Sequence, residues 1–204
     1  MIRNYIILIL VFFLTFISNL NAADHSVLNI KENDFFIGSK DAPITIIEYA
    51  SMSCSHCADF HNNTLEDLKK EFIDTGKVKF VFRNFPFNYP ALVGSMIMSC
   101  VPTEVKYDYM NALYQLQKTW VNRDPSKTRA ELYKIMQSGG MKQDEFDSCL
   151  SDINLENDIL EGVMNAQREF DIRSTPAFIV NGTLYSGNKN IKEFRQIIDK
   201  ILSQ

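Results

Sequence analysis

Cys54 and Cys57 stand two residues apart in S51-M-S-C-S-H-C-A-D-F-H61. Thiols at this spacing can hold a metal, carry a haem, form a plain cross-link or trade electrons with other thiols. A structural zinc site takes four ligands, usually as two close pairs. This chain has one close pair; Cys100 and Cys149 lie far apart in sequence, and His25 sits beside an expected cleavage point. Covalent haem attachment asks for His directly after the second cysteine, where Ala58 stands. A purely structural bridge across two residues would constrain little of the unfolded chain.

Thiol–disulfide exchange fits the placement best. The pair follows an apolar, β-branched run and opens a helical pattern. At a helix N-terminus the free N–H groups and the dipole favour an anion. That placement lowers the pKa of Cys54, the first and more exposed thiol. His56, between the cysteines, can add positive charge or a hydrogen bond to the Cys54 thiolate. Cys57, one turn into the helix, reads as the buried resolving thiol. A stabilised thiolate stabilises the reduced pair, which makes the disulfide a better oxidant.

The elements that must position these residues follow from period and punctuation. Asp34–Ile37 reads as a short edge strand and Ile44–Tyr49 as a buried strand. Cys57, Phe60, Thr64, Leu68 and Phe72 recur at helical spacing, and Gly76 terminates the run. Lys77–Phe82 reads as a second strand, followed by a turn over 83–87. Residues 88–170 read mostly as helix. Ala91–Val101 is apolar all round, and Met110, Leu113 and Leu116 share a face. Thr128-Arg-Ala-Glu131 fits a capping box, and Gly139-Gly140 closes that helix. Asp144–Leu150 and Asn154–Phe170 follow as helices. The period then returns to two: Ala177–Val180, a bend at Asn181-Gly182-Thr183, a strand over 184–187, and a last amphipathic helix over 190–202. A βαβ half (33–87) and a ββα half (171–204) thus flank an all-helical insertion (88–170), an α/β class.

Composition sets the outer limits. The 204 residues carry a net charge of −4, with 46% hydrophobic and 23% charged residues. A chain of this size buries a core without needing disulfides. No basic patch argues for a nucleic-acid partner. Arg3, the apolar run over 5–17 and small Ala22 and Ala23 form the three-part pattern of a secretory signal peptide, residues 1–22. An uncleaved membrane anchor is the alternative. Export would place the four cysteines where disulfides persist.

Taken together, the chain resembles the DsbA-like thiol:disulfide oxidoreductases of the thioredoxin superfamily. The resemblance rests on G38-S-K-D-A-P-I-T-I-I-E-Y, C54-S-H-C-A-D-F-H61, F82-R-N-F-P86 and S174-T-P-A-F-I-V-N-G182. It implies a thioredoxin fold with a helical domain inserted in the middle of the chain. It implies that Cys54 attacks, Cys57 resolves, and Ser55 and His56 tune the potential. Many relatives carry Pro-His there, so Ser55 is a departure. It further implies that Pro176 is cis and faces the disulfide, that Thr175 contacts the sulfurs, and that Glu48 is a buried acid assisting proton transfer at Cys57. From the residues alone, Glu48 could equally be a strand-end group in water. The implied role is a periplasmic enzyme that needs no metal or organic cofactor and oxidises reduced exported polypeptides. Its implied partner is a membrane reoxidase of the DsbB type. A reductase or isomerase is the alternative direction, and a thioredoxin-fold holdase or binding module the non-enzymatic one. No added dimerisation domain is read, so a monomer is expected.

Cys100 and Cys149 fall in two insertion helices. In an oxidising compartment a structural disulfide between them is expected, with two buried free thiols as the alternative. Closing a loop of this length contributes roughly 4 kcal/mol on the chain-entropy argument. His61, one turn past Cys57, reads as a helix-face residue rather than a ligand. Phe60, Phe85, Phe87, Tyr89 and Trp120 read mostly as core, with some available to rim a peptide groove.

Overall fold

The computed structural model describes residues 28–31 and 34–203. The expected leader, 1–22, lies outside the described residues. Among the described residues no helix is long and apolar enough to cross a membrane.

Among the described residues five strands form one sheet: β1 (Phe35–Ile37), β2 (Ile44–Ala50), β3 (Val78–Asn84), β4 (Ala177–Val180) and β5 (Thr183–Ser186), in the spatial order β1-β3-β2-β4-β5. β2 is central, parallel to β3 and antiparallel to β4. Its sequence, I-T-I-I-E-Y-A, is nearly continuous in apolar residues because both faces are covered. Ile44 and Ile46 face one core with Phe60, Phe80, Phe178 and Phe194. Ile47 and Tyr49 face the other with Val81, Phe85, Ala166 and Ile179. At the β4–β5 hairpin, Asn181 and Gly182 take φ of 43° and 86°, the left-handed pair that a two-residue turn between right-twisted strands requires.

Helix α1 (Ser55–Asn63) leaves the C-terminal end of β2 after a short loop. The expected single helix over 54–72 is interrupted. Thr64, at φ −118°, separates α1 from α2 (Leu65–Leu68), and Lys69–Ile73 continues as a π-helical turn. The bend still buries Leu65, Leu68 and Phe72 on the sheet. Phe60 anchors this layer, with ring centroids 4.8 Å from Phe178 and 5.8 Å from Phe194. The closing helix α9 (Ile191–Leu202) supplies Phe194 and Ile198, and its capping box pairs Asn190 with Glu193.

Between β3 and β4 the chain is helical: α3 (Tyr89–Cys100), α4 (Thr103–Gln115), α5 (Gln117–Trp120), α6 (Pro125–Ser138), α7 (Gln143–Leu150) and α8 (Ile153–Phe170). A sheet interrupted by helices at this point is the thioredoxin fold with a helical insertion. The capping box expected at Thr128–Glu131 does not start α6. Asp124 caps the helix by accepting from the Ser126 N–H, and Pro125 takes the first turn, where its missing N–H costs nothing. Thr128 is instead buried inside the helix and donates to the Asn122 carbonyl at 2.9 Å. Leu116 leaves the shared face and is 43% exposed, because α4 ends at Gln115 and the chain turns into α5. Cys100 at the end of α3 is bonded to Cys149 in α7, with Cα atoms 6.3 Å apart across a sequence separation of 49.

The helical region also grips the thiol loop. Buried Gln117 donates from Nε2 to the carbonyls of Met52 at 2.9 Å and Cys54 at 3.0 Å. A Cβ on Gly94 would lie 2.9 Å from the Trp120 ring and 3.0 Å from Met52 Cβ, so only glycine lets α3 approach this closely. Ser53 Oγ donates to Asn88 Oδ1, the α3 cap, at 3.0 Å.

Two substitutions test this architecture by urea unfolding at fixed redox state. Phe60→Ala empties the centre of an aromatic cluster and is expected to cost about 3–5 kcal/mol. Gln117→Leu keeps the volume but strips two carbonyls of their donor, an expected loss of about 1–3 kcal/mol. An unchanged midpoint in either variant would contradict the packing described.

Candidate active site

The site grows from the crossing of two periodicities. On β2, alternate residues Ile44, Ile46 and Glu48 take the face that α1 covers. On α1, Cys57, Phe60 and His61 take the buried face. β4 pairs with β2 so that Ala177 lies opposite Tyr49. The residues just before β4, Thr175 and Pro176, therefore arrive beside the C-terminal end of β2, where the thiols are. The Thr175–Pro176 peptide is cis.

Cys54 is the N-cap residue of α1, in extended conformation. It is partly exposed and its sulfur is unbonded, as is that of Cys57. As a thiol it donates to the Thr175 carbonyl at 3.4 Å. Its pKa is lowered from 9.0 to about 5. The largest cause is a hydrogen bond from the Cys57 thiol; the Thr175 side chain and the backbone N–H groups of Cys57 and His56 add to it, against the opposing effect of burial. This is the expected helix N-terminus at work, with one difference. His56 and Ser55 are exposed, and what His56 brings to the sulfur is its backbone N–H.

Cys57 is the opposite case. It has no exposed surface, and burial is the largest cause that drives its pKa far up. Donating its proton to Cys54 raises it further, as do the charges of Glu48 and Cys54. One proton thus serves both sulfurs: it stays on Cys57 and stabilises charge on Cys54.

Glu48 is fully buried, which removes the reading of a strand end in water. His61 lies on the helix face of α1 that is buried. Its side chain is 1% exposed, and Nε2–H donates to Glu48 Oε2 at 2.9 Å. The sequence carried a signal for this pair: His61 follows Cys57 by four residues on the face that covers Glu48. Tyr114 from α4 stacks on the imidazole with centroids 4.0 Å apart. Gln117 and Tyr114 were not legible as site residues, because only the chain fold brings α4 and α5 to the thiols. Phe60, Phe85 and Trp120 are core, whereas Phe87 is 52% and Tyr89 38% exposed. These two flank Asn88, the residue bonded to Ser53. They are exposed because the turn after β3 and the first residue of α3 lie at the surface.

The chain matches the Thioredoxin family profile over residues 31–200. It is 30% identical over 176 residues to a candidate protein-disulfide oxidoreductase of Rickettsia bellii, covering 86% of this chain and 67% of the relative. Across the Rickettsia relatives the chain spans 62 to 67% of their length. It is 24% identical over 181 residues to disulfide bond formation protein D of Bacillus subtilis, covering 81% of this chain and 76% of that one. Among solved structures it is similar to alpha-DsbA1 of Wolbachia pipientis, with TM-score 0.80 and 31% identity over 86% of this chain and 94% of that one. BdbD from Bacillus subtilis shares the fold, with TM-score 0.74 and 22% identity over 84% of this chain and 94% of that one. With the fold, the thiol pair and these similarities in agreement, the chain belongs to the DsbA-like thiol:disulfide oxidoreductases of the thioredoxin superfamily.

Proposed function

We propose that this protein is exported and introduces disulfide bonds into reduced polypeptides by exchange through Cys54 and Cys57. The observation that carries the reading is the opposed pair of thiols: Cys54 held as an anion at about 5 and Cys57 held as a thiol by burial. A thiolate this stable favours the reduced pair, so the disulfide gives up its oxidising equivalents readily.

In the reaction, a substrate thiolate attacks Cys54 Sγ in the Cys54–Cys57 disulfide. The S–S bond breaks, and Cys57 leaves with the electron pair and takes up a proton. The substrate is now joined to Cys54. Its second thiolate attacks its own bonded sulfur, and Cys54 leaves as the thiolate. The substrate has lost two electrons and the protein has gained them. A membrane reoxidase of the DsbB type returns the pair to the disulfide. No metal or organic cofactor enters these steps.

Each remaining residue has a place in this scheme. Glu48 assists the proton transfer at Cys57. Thr175 and Pro176 hold the extended substrate beside Cys54, and the Thr175 contact with Cys54 Sγ supports that role. Ser55 and His56 tune the potential from the solvent side of α1. The Cys100–Cys149 disulfide is structural and ties α3 to α7. Export to the periplasm rests on the leader pattern of residues 1–22.

Trapping tests the mechanism. A Cys57→Ser variant is expected to accumulate mixed disulfides through Cys54 with exported proteins, visible on non-reducing gels; no trapped species would contradict the exchange reading. Alkylation of Cys54 is expected to show a midpoint near pH 5. In Cys57→Ala the midpoint moves up, because the largest stabilising hydrogen bond is gone. An unmoved midpoint would assign the acidity elsewhere. The linkage has a definite sign. The folded-state pKa lies below 9.0, so the stabilisation is full above the ordinary thiol value and is lost as pH falls toward about 5. The reduced protein is therefore expected to resist urea better than the disulfide form at neutral pH, with the gap closing as pH falls through about 5. Equal stability of the two forms at neutral pH would contradict this.

A further inference from the structure

Behind Cys57 lies a cluster of three buried polar side chains, Glu48, His61 and Tyr114. Glu48 and His61 are 0% and 1% exposed and joined by one hydrogen bond. Tyr114, 1% exposed, stacks on the imidazole. Three of the cluster's atoms are buried without a hydrogen-bond partner: Glu48 Oε1, His61 Nδ1 and the Tyr114 hydroxyl. Buried polar atoms are nearly always paired, so each orphan asks for a reason. A buried ion pair is weak evidence of a stabilising role, since hydrophobic residues of similar volume often serve as well.

The surroundings of the imidazole are defined. Glu48 faces it from β2 and Tyr114 from α4; β3 contributes Phe82, with centroids 5.8 Å apart, and α1 itself contributes Phe60 at 5.4 Å. Charge on Glu48 acts on Cys57, and charges on Cys57, Cys54 and Glu48 act on Tyr114. Cys57, with no exposed surface, cannot draw a proton directly from bulk water when it leaves Cys54.

We propose that His61 is a positioning residue for disulfide opening: it holds Glu48 through Nε2–H, and the Glu48–His61 pair shares the proton that Cys57 takes up. The inference rests on the exchange reading above. When the attacking thiolate bonds to Cys54 Sγ, the Cys54–Cys57 bond breaks and its electron pair leaves on Cys57 Sγ. The pair, neutral as a whole, gives its proton to that sulfur. Glu48 remains as a carboxylate held by the neutral imidazole, so the negative charge has passed from the attacking sulfur to Glu48. The pair then recovers a proton from solvent. Glu48 Oε1 and His61 Nδ1, left open by the single hydrogen bond, are the atoms at which a proton arrives and leaves. A pair serving only as packing would need no such open atoms.

The test is the rate at which a small monothiol opens the disulfide, measured against pH and corrected for the thiolate fraction of the attacker. In the wild type the corrected rate is expected to fall as pH rises and the pair loses its proton. His61→Gln keeps an N–H donor but cannot titrate, and it is expected to flatten the profile and slow opening on the order of a hundredfold. A flat wild-type profile, or the same slope in His61→Gln, overturns the proposal. If His61→Gln does not fold, Glu48→Gln removes the carboxylate from the other side and is expected to flatten the profile in the same way; an unchanged slope there also overturns it. Should the wild-type disulfide fail to exchange with thiols at all, the exchange reading itself falls. Normal exchange with an insensitive His61 variant sinks only the shared proton.

Discussion

The chemistry of the site depends on two sulfurs of unequal burial. Cys54 caps α1 at the surface, and Cys57 sits one turn inside with no exposed area. A proton can reside on either sulfur in principle. Burial settles the choice, because a thiolate at Cys57 would lie in a low-dielectric core. The proton therefore stays on Cys57 and points at Cys54, and the helix N-terminus adds its N–H groups to the same sulfur.

That asymmetry needs a rigid frame. β2 is covered on both faces and cannot shift its register without moving Glu48 to the wrong side. β4 is locked to β2, which fixes where Thr175 and Pro176 arrive. Gln117 holds the loop carbonyls of Met52 and Cys54, so the helical insertion sets the approach to α1 as well as covering it. The disulfide between Cys100 and Cys149 ties two helices of that insertion together. Each of these features lies outside the four-residue motif.

Much of this was legible in the residues. The β-branched run over 44–49 read as a buried strand because both faces are apolar, and the Asn181-Gly182 pair marked the β4–β5 hairpin through conformations that few other residues adopt. The order of elements along the chain, including the helical block, followed from changes of period. Other features were hidden for physical reasons. Thr128 imitated a capping box, but Asp124 and Pro125 compete for the same helix start with better chemistry. Thr64 gave no local sign that the motif helix would bend. His61 read as a helix-face residue; its spacing from Cys57 marks the buried face, but its partner lies 13 residues earlier, on a strand. Tyr114 and Gln117 come from elements whose position is set only by tertiary packing. Ser55 occupied a position assigned by resemblance and His56 one read from its place between the cysteines, and the exposure of both side chains was beyond what the spacing could tell.

The central claim is that the geometry stabilises the Cys54 thiolate enough to make the disulfide an oxidant. Its most direct test is the reduction potential of the Cys54–Cys57 pair, equilibrated in glutathione buffers of defined ratio. The account requires a value well above thioredoxin's, which is about −270 mV. A potential at or below that mark would mean that the stabilised thiolate does not set the direction of electron flow, and that the protein works as a reductant within the same fold.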